Sequence, residues 1–483
     1  MPSESKRGLS PCQGARGARD YSKHRDVGLR GAISIFALIM LIMLVGKLIL
    51  GFDTAILLMF VSIVTTVIYV FYYRFSWKEL FEKGTIPLAA RAMGAFLILL
   101  TVGPLIAIWI ISGTIPYMMY IGLKTLSPNI FLIATCLLCS ISSLLTGTSW
   151  GTAATFGVAL MGVAYALGAP LPIAAGAVVV GAYLGDKISP VSDTTVLASA
   201  VAEVDIFDHI KSMLYTTLPG YILSLVVYGV VGMTITVSPE VPETVNIFLR
   251  ALEQNFKLSP VALIPPILLL TLAALRFPVI PVLWIAILSA IPLAMWQGYD
   301  ITTIVRVMAK GPAIQTGVEA LDKLLNRGGI AFMASAMAVV FFAYIFAGQL
   351  TQSGTLKRII DYLQKSFIRN KISRLMFATS ITGILTGMAT GNSYLSEIIP
   401  GITFKELFDR MSIRRNVLSR TLEDSGTVVV PLIPWAAAGI YMTTVLGVPT
   451  IEYLPWAIMC YAGFITAWIY GLTGVAIWRV EEK

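Results

Sequence analysis

Long apolar segments alternate with short polar or basic loops along almost the whole chain, from about residue 31 to residue 478. Each apolar window is long enough to cross roughly 30 Å of hydrocarbon at about 20 residues per helix. None shows the weak alternation of a membrane-barrel strand. The pattern predicts an all-α polytopic membrane protein whose first spans lie at about 31–50, 54–73 and 92–111.

The stretch GAYLGDKISPVSDTT, residues 181–195, interrupts this pattern with two aspartates, a proline and several hydroxyls. Apolar sequence on both sides places Asp186 and Asp193 at membrane depth, where a carboxylate costs roughly 3 kcal/mol and is a functional candidate. Pro190 cannot continue a helix. We therefore expect two half-helices and an unwound linker whose carbonyls and hydroxyls can replace the water around a small cation. A polar loop between two ordinary spans is the alternative.

A second polar interruption, TGTSWGT at 146–152, lies between two apolar arms within residues 129–168. Arms of fewer than 20 residues favour a re-entrant helical hairpin, a form tolerated where protein or a cavity surrounds its tip. Two full spans are the alternative. The broken segment at about 172–202 follows, and then a span at about 213–236.

The composition agrees with a membrane protein and argues against other classes. Hydrophobic residues make up 57% of the chain and charged residues 13%, with a mean hydropathy of +0.82. The net charge of +9 is spread over short basic runs between apolar segments, which indicates membrane topology and not nucleic-acid binding. Cys136 and Cys139 have no His or carboxylate neighbour, so we expect buried thiols and no zinc or redox pair. The only histidines are His24 and His209, and no nucleophile–base pattern is visible, so we expect neither an enzyme nor a cofactor.

The second half of the chain repeats these features in the same order at an offset of about 240 residues. The segment containing SGT at 112–114 corresponds to the one containing SGT at 353–355, and LTGTSWG at 145–151 corresponds to LTGMATG at 385–391. The broken segment around Asp186 corresponds to SRTLEDSGTVVVPLIPW at 419–435. Three unlike features in a shared order indicate a duplicated unit.

We count three spans, one hairpin, one broken span and one further span in each half. Each half therefore crosses the membrane five times, and because this number is odd, the second copy is inverted. The basic loops at 351–372 and 401–416 then lie in the cytoplasm, as the positive-inside rule requires. The predicted order is a basic cytoplasmic tail (1–30), a first transmembrane repeat (31–236), an extracytoplasmic linker (237–258), a second inverted repeat (259–478) and a cytoplasmic C-terminus (479–483).

Several of these stretches resemble the NhaC-type Na⁺/H⁺ antiporter family of the ion-transporter superfamily. They are WIISGTIPYMMYIGL, TGTSWGTAATFGVAL, GAYLGDKISPVSDTTVLAS, NRGG and SRTLEDSGTVVVPLIPWAAAGIYMTTVLGV, in the family's order. The resemblance covers about 31–478 and implies sodium transport coupled to protons. Relatives of similar sequence exchange these ions against organic acids or amino acids, so the fold does not settle the solute. The second tip departs from the usual TGDQYLS because this chain has Asn392, and Glu397 one turn later is the nearest acid.

We expect the two breaks and the two tips to surround one ion site. The predicted ion-binding and coupling residues are Asp186, Ser189, Asp193, Thr194, Thr195, Glu423, Asp424 and Thr427, with Na⁺ at Asp186, Asp193 and Asp424. The predicted tip residues are Thr146, Thr148, Ser149, Asn392 and Ser393. At least one of the four acids should hold a proton in the empty site and lose it to sodium. The alternatives are helix–helix hydrogen bonds for the hydroxyls and pairing with Arg420 for Glu423 and Asp424.

We interpret the chain as a secondary active transporter that exchanges sodium for protons across the plasma membrane, the bacterial inner membrane, by alternating access. The alternative is a Na⁺- and H⁺-coupled antiporter of an organic acid or amino acid, such as malate or lactate. A channel, a receptor or a structural protein fits inverted halves with midplane acids less well. The expected partners are sodium, protons and the lipid bilayer, without nucleic acid; a homodimer remains open.

Cysteine labelling tests this topology. In a chain whose native cysteines are replaced, Ser3→Cys and Ser366→Cys should react with an impermeant thiol reagent only from the cytoplasmic side. Ser238→Cys should react only from outside. A reagent that reaches position 366 from outside the cell would contradict the inverted second half.

Overall fold

The computed structural model describes residues 26–91, 93–234 and 241–480. Most residues of these ranges lie in helices, and the sole β-type pairing there is an isolated bridge between Ile413 and Arg479. Most of the predicted basic tail, the end of the span predicted at 213–236 and the start of the linker lie outside the described residues.

The helices follow the polar interruptions of the sequence. The first half contains α1 (Leu29–Leu44), α2 (Thr54–Val67), α3 (Ile86–Arg91), α4 (Met93–Ile111), α5 (Thr114–Thr125), α6 (Pro128–Thr146), α7 (Ser149–Thr152), α8 (Val158–Ala166), α9 (Leu171–Ile188), α10 (Asp193–Ala202), α11 (Ile206–Thr234) and α12 (Val241–Asn255). The second half contains α13 (Ile264–Ala274), α14 (Val279–Gln297), α15 (Ile301–Lys310), α16 (Glu319–Leu325), α17 (Ile330–Gln352), α18 (Thr355–Tyr362), α19 (Ile372–Thr390), α20 (Ser393–Arg410), α21 (Arg415–Ser425), α22 (Ala437–Leu446), α23 (Thr450–Tyr453) and α24 (Ile458–Thr473).

Nine helices of the described part are long and apolar enough to cross a membrane, or up to twelve if each bent pair counts as one span. The bends measure 96° between 243–255 and 260–274, 46° between α21 with its continuation and α22, and 58° between 450–456 and α24. The predicted all-α polytopic architecture is therefore confirmed. Ten crossings, the inversion and the domain boundaries remain predictions.

The two predicted hairpin tips have the same local geometry. Helix α6 ends at a left-handed Gly147 (φ 63°), and the Thr148 side chain then accepts a hydrogen bond from a backbone N–H of α7. Helix α19 ends at a left-handed Gly391 (φ 62°), and the Asn392 side chain caps α20 in the same way. The repeat found in the sequence aligned Gly147 with Gly387. In the structure Gly147 corresponds to Gly391, which lies about one helical turn further along the chain.

The two SGT segments are also alike. Gly113 (φ 82°) and Gly354 (φ 73°) each precede a helix in a left-handed conformation. The serine and threonine hydroxyls lie 3.0 Å apart in the segment at 112–114 and 2.8 Å apart in the segment at 353–355. Two local geometries repeated in the same order support the duplication that the sequence predicts.

Small residues bring the first tip against the first break. A Cβ added at Gly185 of α9 would lie 2.1 Å from Ser143 Oγ of α6, so only glycine permits this approach. A Cβ at Gly147 would lie 2.9 Å from the backbone carbon of Val191 in the linker between α9 and α10. The tip of the hairpin therefore rests on the unwound linker.

Substitution of Gly147 by alanine tests this close packing. Gly354→Ala is a matched control, because its φ of 73° is also left-handed but nothing lies within 4 Å of the added Cβ. We expect the control to cost about 1 kcal/mol of unfolding free energy through backbone strain alone. Gly147→Ala should cost clearly more, because the Val191 backbone must also move. Equal falls in the thermal unfolding midpoint of the two purified variants would argue against a tightly seated tip.

Candidate functional site

A cavity of about 510 Å³ lies where both breaks and both tips meet. Its polar lining consists of Thr148, Ser149, Asp186, Asp193, Thr194, Asn392, Ser393 and Thr427. Its aromatic lining consists of Trp150, Tyr183, Tyr344 and Tyr394. Within the part of the chain that the structure describes, no lysine, arginine or histidine lines this cavity.

Asp186 connects the cavity to the first tip. Its carboxylate accepts hydrogen bonds from the backbone N–H of Ser149, at 3.1 Å, and from the Ser149 hydroxyl. Its backbone carbonyl accepts from the hydroxyls of Thr194, at 3.1 Å, and Thr195, at 2.7 Å. The C-terminal end of α9, the tip and the start of α10 are thereby joined at one residue.

Asp193 connects the cavity to the second half of the chain. It is the first residue of α10, where the positive end of the helix dipole favours a negative charge. Its carboxylate accepts a hydrogen bond from the hydroxyl of Tyr394 in α20. The two aspartates of the first break are therefore held by the tips of two different hairpins.

Glu397 lies behind the cavity wall. The hydroxyl of Thr427, which lines the cavity, donates a hydrogen bond to Glu397 Oε1. The Glu397 side chain is fully buried, and its Oε2 atom has no hydrogen-bond partner among the residues that the structure describes. Glu397 also interacts electrostatically with Asp186 and Asp193. The acid one turn after the second tip is therefore close to the two acids of the first break.

Glu423 and Asp424 lie outside the cavity lining. Asp424 forms a fully buried ion pair with Lys187, whose Nζ lies 2.6 Å from Asp424 Oδ1. Glu423 lies 3.2 Å from Nε2 of a fully buried His209. The structure therefore brings Asp186 and Asp193 together at the cavity and places Asp424 elsewhere. Within the described ranges, no three His, Cys, Asp or Glu side chains are arranged to hold a metal ion.

Among the described residues, Arg420 forms no ion pair with Glu423 or Asp424, although it interacts electrostatically with Asp424. Its guanidinium donates to the carbonyl of Ala476, at 3.1 Å, and lies 5.3 Å from the ring centre of Trp478. The alternative in which Arg420 neutralises Glu423 and Asp424 is not the arrangement found. Lys187, one residue after Asp186, takes that role for Asp424.

His209 lies on a helix and is fully buried. It lies in the first turn of α11, where Asp205 accepts a hydrogen bond from the Phe207 N–H at 2.8 Å and caps the helix. Its ring also contacts the hydroxyl of Ser419 at 2.8 Å. An aspartate before an apolar helical segment is a helix-start signal, which could have placed His209 on the helix.

Three predicted hydroxyls make helix–helix or intrahelical hydrogen bonds. Ser189 donates to the Leu144 carbonyl at 3.0 Å, Thr146 donates to the Ser142 carbonyl at 2.9 Å, and Thr195 bonds Asp186 as described. The aromatic lining was not predicted from the sequence, because aromatic residues in apolar segments are typical of packed cores. Asn392 contacts part of that lining, since its amide donates to the Tyr344 hydroxyl at 2.7 Å.

An ion-pair network near the end of α10 links the two halves outside the predicted spans. Glu203 lies 2.6 Å from Lys405 Nζ and also contacts Arg415. The hydrogen bond from Lys405, followed by that from Arg415, lowers the pKa of the Glu203 carboxyl. The end of the first broken segment is thereby tied to the last part of α20 and to the first residue of α21.

Broken helices and polar tips around an acidic cavity, in a multi-pass helical protein, are the architecture of a membrane transporter. The model of the Na⁺/H⁺ antiporter family matches residues 181–475. An uncharacterized Na⁺/H⁺ antiporter of Haemophilus influenzae is 43% identical over 403 residues, which are 81% of this chain and 85% of that protein.

Two further relatives carry more specific names. The malate-2H⁺/Na⁺-lactate antiporter of Bacillus subtilis is 38% identical over 410 residues (85% of this chain, 87% of that protein). The Na⁺/H⁺ antiporter NhaC of Alkalihalophilus pseudofirmus is 38% identical over 415 residues (85% and 88%). The chain belongs to the Na⁺/H⁺ antiporter family, and its resemblance to the NhaC-type members is confirmed.

Proposed function

We propose that the protein exchanges sodium ions for protons across the plasma membrane. The observation that carries this proposal is the cavity lining, which combines two carboxylates with hydroxyl and amide oxygens and, among the described residues, no basic side chain. Oxygen atoms are the ligands of small hard cations. An organic anion would instead require a cationic partner such as arginine or lysine.

The sodium ligands would come from both halves of the chain. Asp186 and Asp193 supply the negative charge, and Thr194 and Thr427 supply hydroxyl oxygens that line the same cavity. The tip residues Thr148, Ser149, Asn392 and Ser393 close the site from two sides. Because Ser149 and Tyr394 already bond the two aspartates, sodium binding would require these donors to share or release the carboxylates.

Sodium and protons would compete for the same acids. Asp186 and Asp193 interact electrostatically with each other and with Glu397, and clustered acids in a low dielectric cannot all stay ionised at low cost. A proton held by this cluster in the sodium-free state would leave when sodium binds. Because sodium binding weakens proton binding and proton binding weakens sodium binding, the sodium flux and the proton flux are coupled.

Alternating access would then expose the site to each side of the membrane in turn. The hydrogen bonds Ser149–Asp186 and Tyr394–Asp193 tie both tips to the first break, which favours tips and breaks moving together against the other helices. We place both termini in the cytoplasm, as the basic loops predict.

Exchange of an organic acid is a second candidate. The cavity of about 510 Å³ is larger than a sodium ion requires and falls in the usual range for small-molecule sites. A relative of similar sequence is named as a malate and lactate antiporter. The described lining contains no cationic partner for a carboxylate, so we rank this candidate below sodium/proton exchange.

Flux measurements in proteoliposomes test the proposal. Sodium uptake driven by an outward proton gradient should fall at least about tenfold, equivalent to 1.4 kcal/mol, in Asp186→Asn and in Asp193→Asn. Glu319→Gln is a matched control, because Glu319 is an exposed acid paired with Lys323. Unchanged exchange in Asp193→Asn would remove that residue from the site. Uptake that requires malate, lactate or an amino acid on the opposite side would favour the second candidate.

A further inference from the structure

The two halves of the chain correspond residue by residue around the cavity. Helix α6 begins at residue 128 and α19 at residue 372, a difference of 244 residues, and both helices have 19 residues. The same difference carries α9 onto Arg415–Leu432 and pairs Gly147 with Gly391 at the two tips. Each lining residue of one half can therefore be compared with its counterpart in the other half.

Each tip contributes an aromatic residue to the cavity at the same position. Trp150 lines the cavity in the first tip, and its counterpart Tyr394 lines the cavity in the second. Trp150 directly follows Ser149, which bonds Asp186. The Tyr394 hydroxyl bonds Asp193. An aromatic ring and a hydrogen-bonded carboxylate thus occur together in both tips, and the face of such a ring attracts a cation.

The acids, in contrast, come from one half only. Asp193 is the first residue of α10, and its counterpart Ala437, which also lines the cavity, is the first residue of α22. The counterpart of Asp186 is the apolar Val430. Among the described lining residues, the negative charge of the cavity therefore comes entirely from the first half, and the second half contributes neutral side chains.

Much of the remaining lining is apolar. It comes from the start of α4, from residues 278–281 and from the two alanines that begin α22. The Trp150 ring is fixed by stacking on Tyr441, with ring centres 4.2 Å apart. A cavity of about 510 Å³ with its charge on one side and apolar and aromatic surface on the rest suits a ligand that has a charged end and a neutral body.

The two aspartates can accept hydrogen bonds from such a charged end. An ionised carboxylate has about four acceptor sites. The hydrogen bonds from Ser149 to Asp186, and those from Tyr394 and the Thr194 N–H to Asp193, leave acceptor capacity on both side chains. An alkylammonium group has three N–H donors and one positive charge, so it matches this capacity.

We propose that the cavity binds organic ammonium ions that carry no carboxylate, in competition with sodium. The ammonium group bonds Asp186 and Asp193, and an apolar or aromatic body packs against Trp150 and the start of α22. Ligands with a carboxylate are outside this class, because no arginine, lysine or histidine of the described lining would pair with it. The inference rests on the proposed function in one respect: both ions use the same two aspartates.

A cavity that holds only sodium and water would behave differently. The walls would then give no advantage to the body of an organic cation, and a larger cation would bind no better than a small one. The two interpretations therefore differ in how the affinity depends on the apolar body of the cation.

Equilibrium ²²Na⁺ binding to the purified full-length protein measures this dependence, at neutral pH in KCl at constant ionic strength. The competitors are ammonium, 2-phenylethylammonium, phenylalanine and 2-phenylethanol. Phenylalanine adds a carboxylate to the same body, and 2-phenylethanol removes the charge. We expect 2-phenylethylammonium to displace sodium at a concentration at least about tenfold lower than ammonium does, equivalent to 1.4 kcal/mol. Phenylalanine and 2-phenylethanol should not displace sodium at that concentration.

Replacement of Trp150 tests the role of the ring. In Trp150→Ala, the ratio of the 2-phenylethylammonium affinity to the sodium affinity should fall by about fivefold, and Trp150→Phe should restore most of the ratio because it keeps a ring. Both affinities are measured on one preparation, so a loss of folded protein does not change their ratio. Trp77→Ala is a matched control, because Trp77 is 53% exposed and stacks on Phe81 outside the described cavity lining.

Equal displacing concentrations of ammonium and 2-phenylethylammonium would overturn the proposal, and so would displacement by phenylalanine at the concentration at which 2-phenylethylammonium acts. These comparisons use the unsubstituted protein, so they decide the matter even if Trp150→Ala does not fold. Either result would leave sodium/proton exchange standing, because that is measured as a sodium flux. Conversely, saturable binding of ¹⁴C-labelled 2-phenylethylammonium that is lost in Asp193→Asn, in a protein that binds no sodium, would contradict the proposed function and leave the ammonium site standing.

Discussion

The cost of burying carboxylates among apolar helices is the constraint on which the rest of this structure depends. An unpaired buried charge is expensive, so each acid requires a partner or a proton. Asp424 has the ammonium of Lys187, and Glu423 has the ring of His209. Asp186 instead accepts hydrogen bonds from the neutral backbone N–H and hydroxyl of Ser149. Of these three acids, only Asp186 lines the cavity, and among the described residues no lysine or arginine forms an ion pair with it.

The breaks and tips make this arrangement geometrically possible. A continuous helix has no free carbonyls and ends far from the bilayer centre, whereas a broken helix presents its negative end at the site. Left-handed glycines at 147 and 391 turn the hairpins sharply, and glycines in α9 allow α6 to lie close enough for the tip to reach the linker. The helix breaks and the glycine conformations thus position the groups that the proposed exchange requires.

The sequence predicts the elements better than it predicts their partners. Hydropathy and the repeated order located the spans, the breaks and the tip residues, because these depend on local composition. The partner of Asp424 could not be derived in the same way, because Lys187 and Arg420 are both close in sequence to acids and only helix packing decides between them. The burial of His209 and the aromatic lining likewise depend on which helix faces are in contact, and periodicity does not report those contacts.

Competition between sodium and protons at one acid-lined site is the central claim of this account. Its most direct test is the apparent sodium affinity of transport, measured in proteoliposomes at several pH values. If one proton is displaced per sodium ion, the apparent sodium affinity should weaken roughly tenfold for each unit by which the pH falls below the pKa of the site. A sodium affinity that stays constant across the active pH range would contradict the shared site.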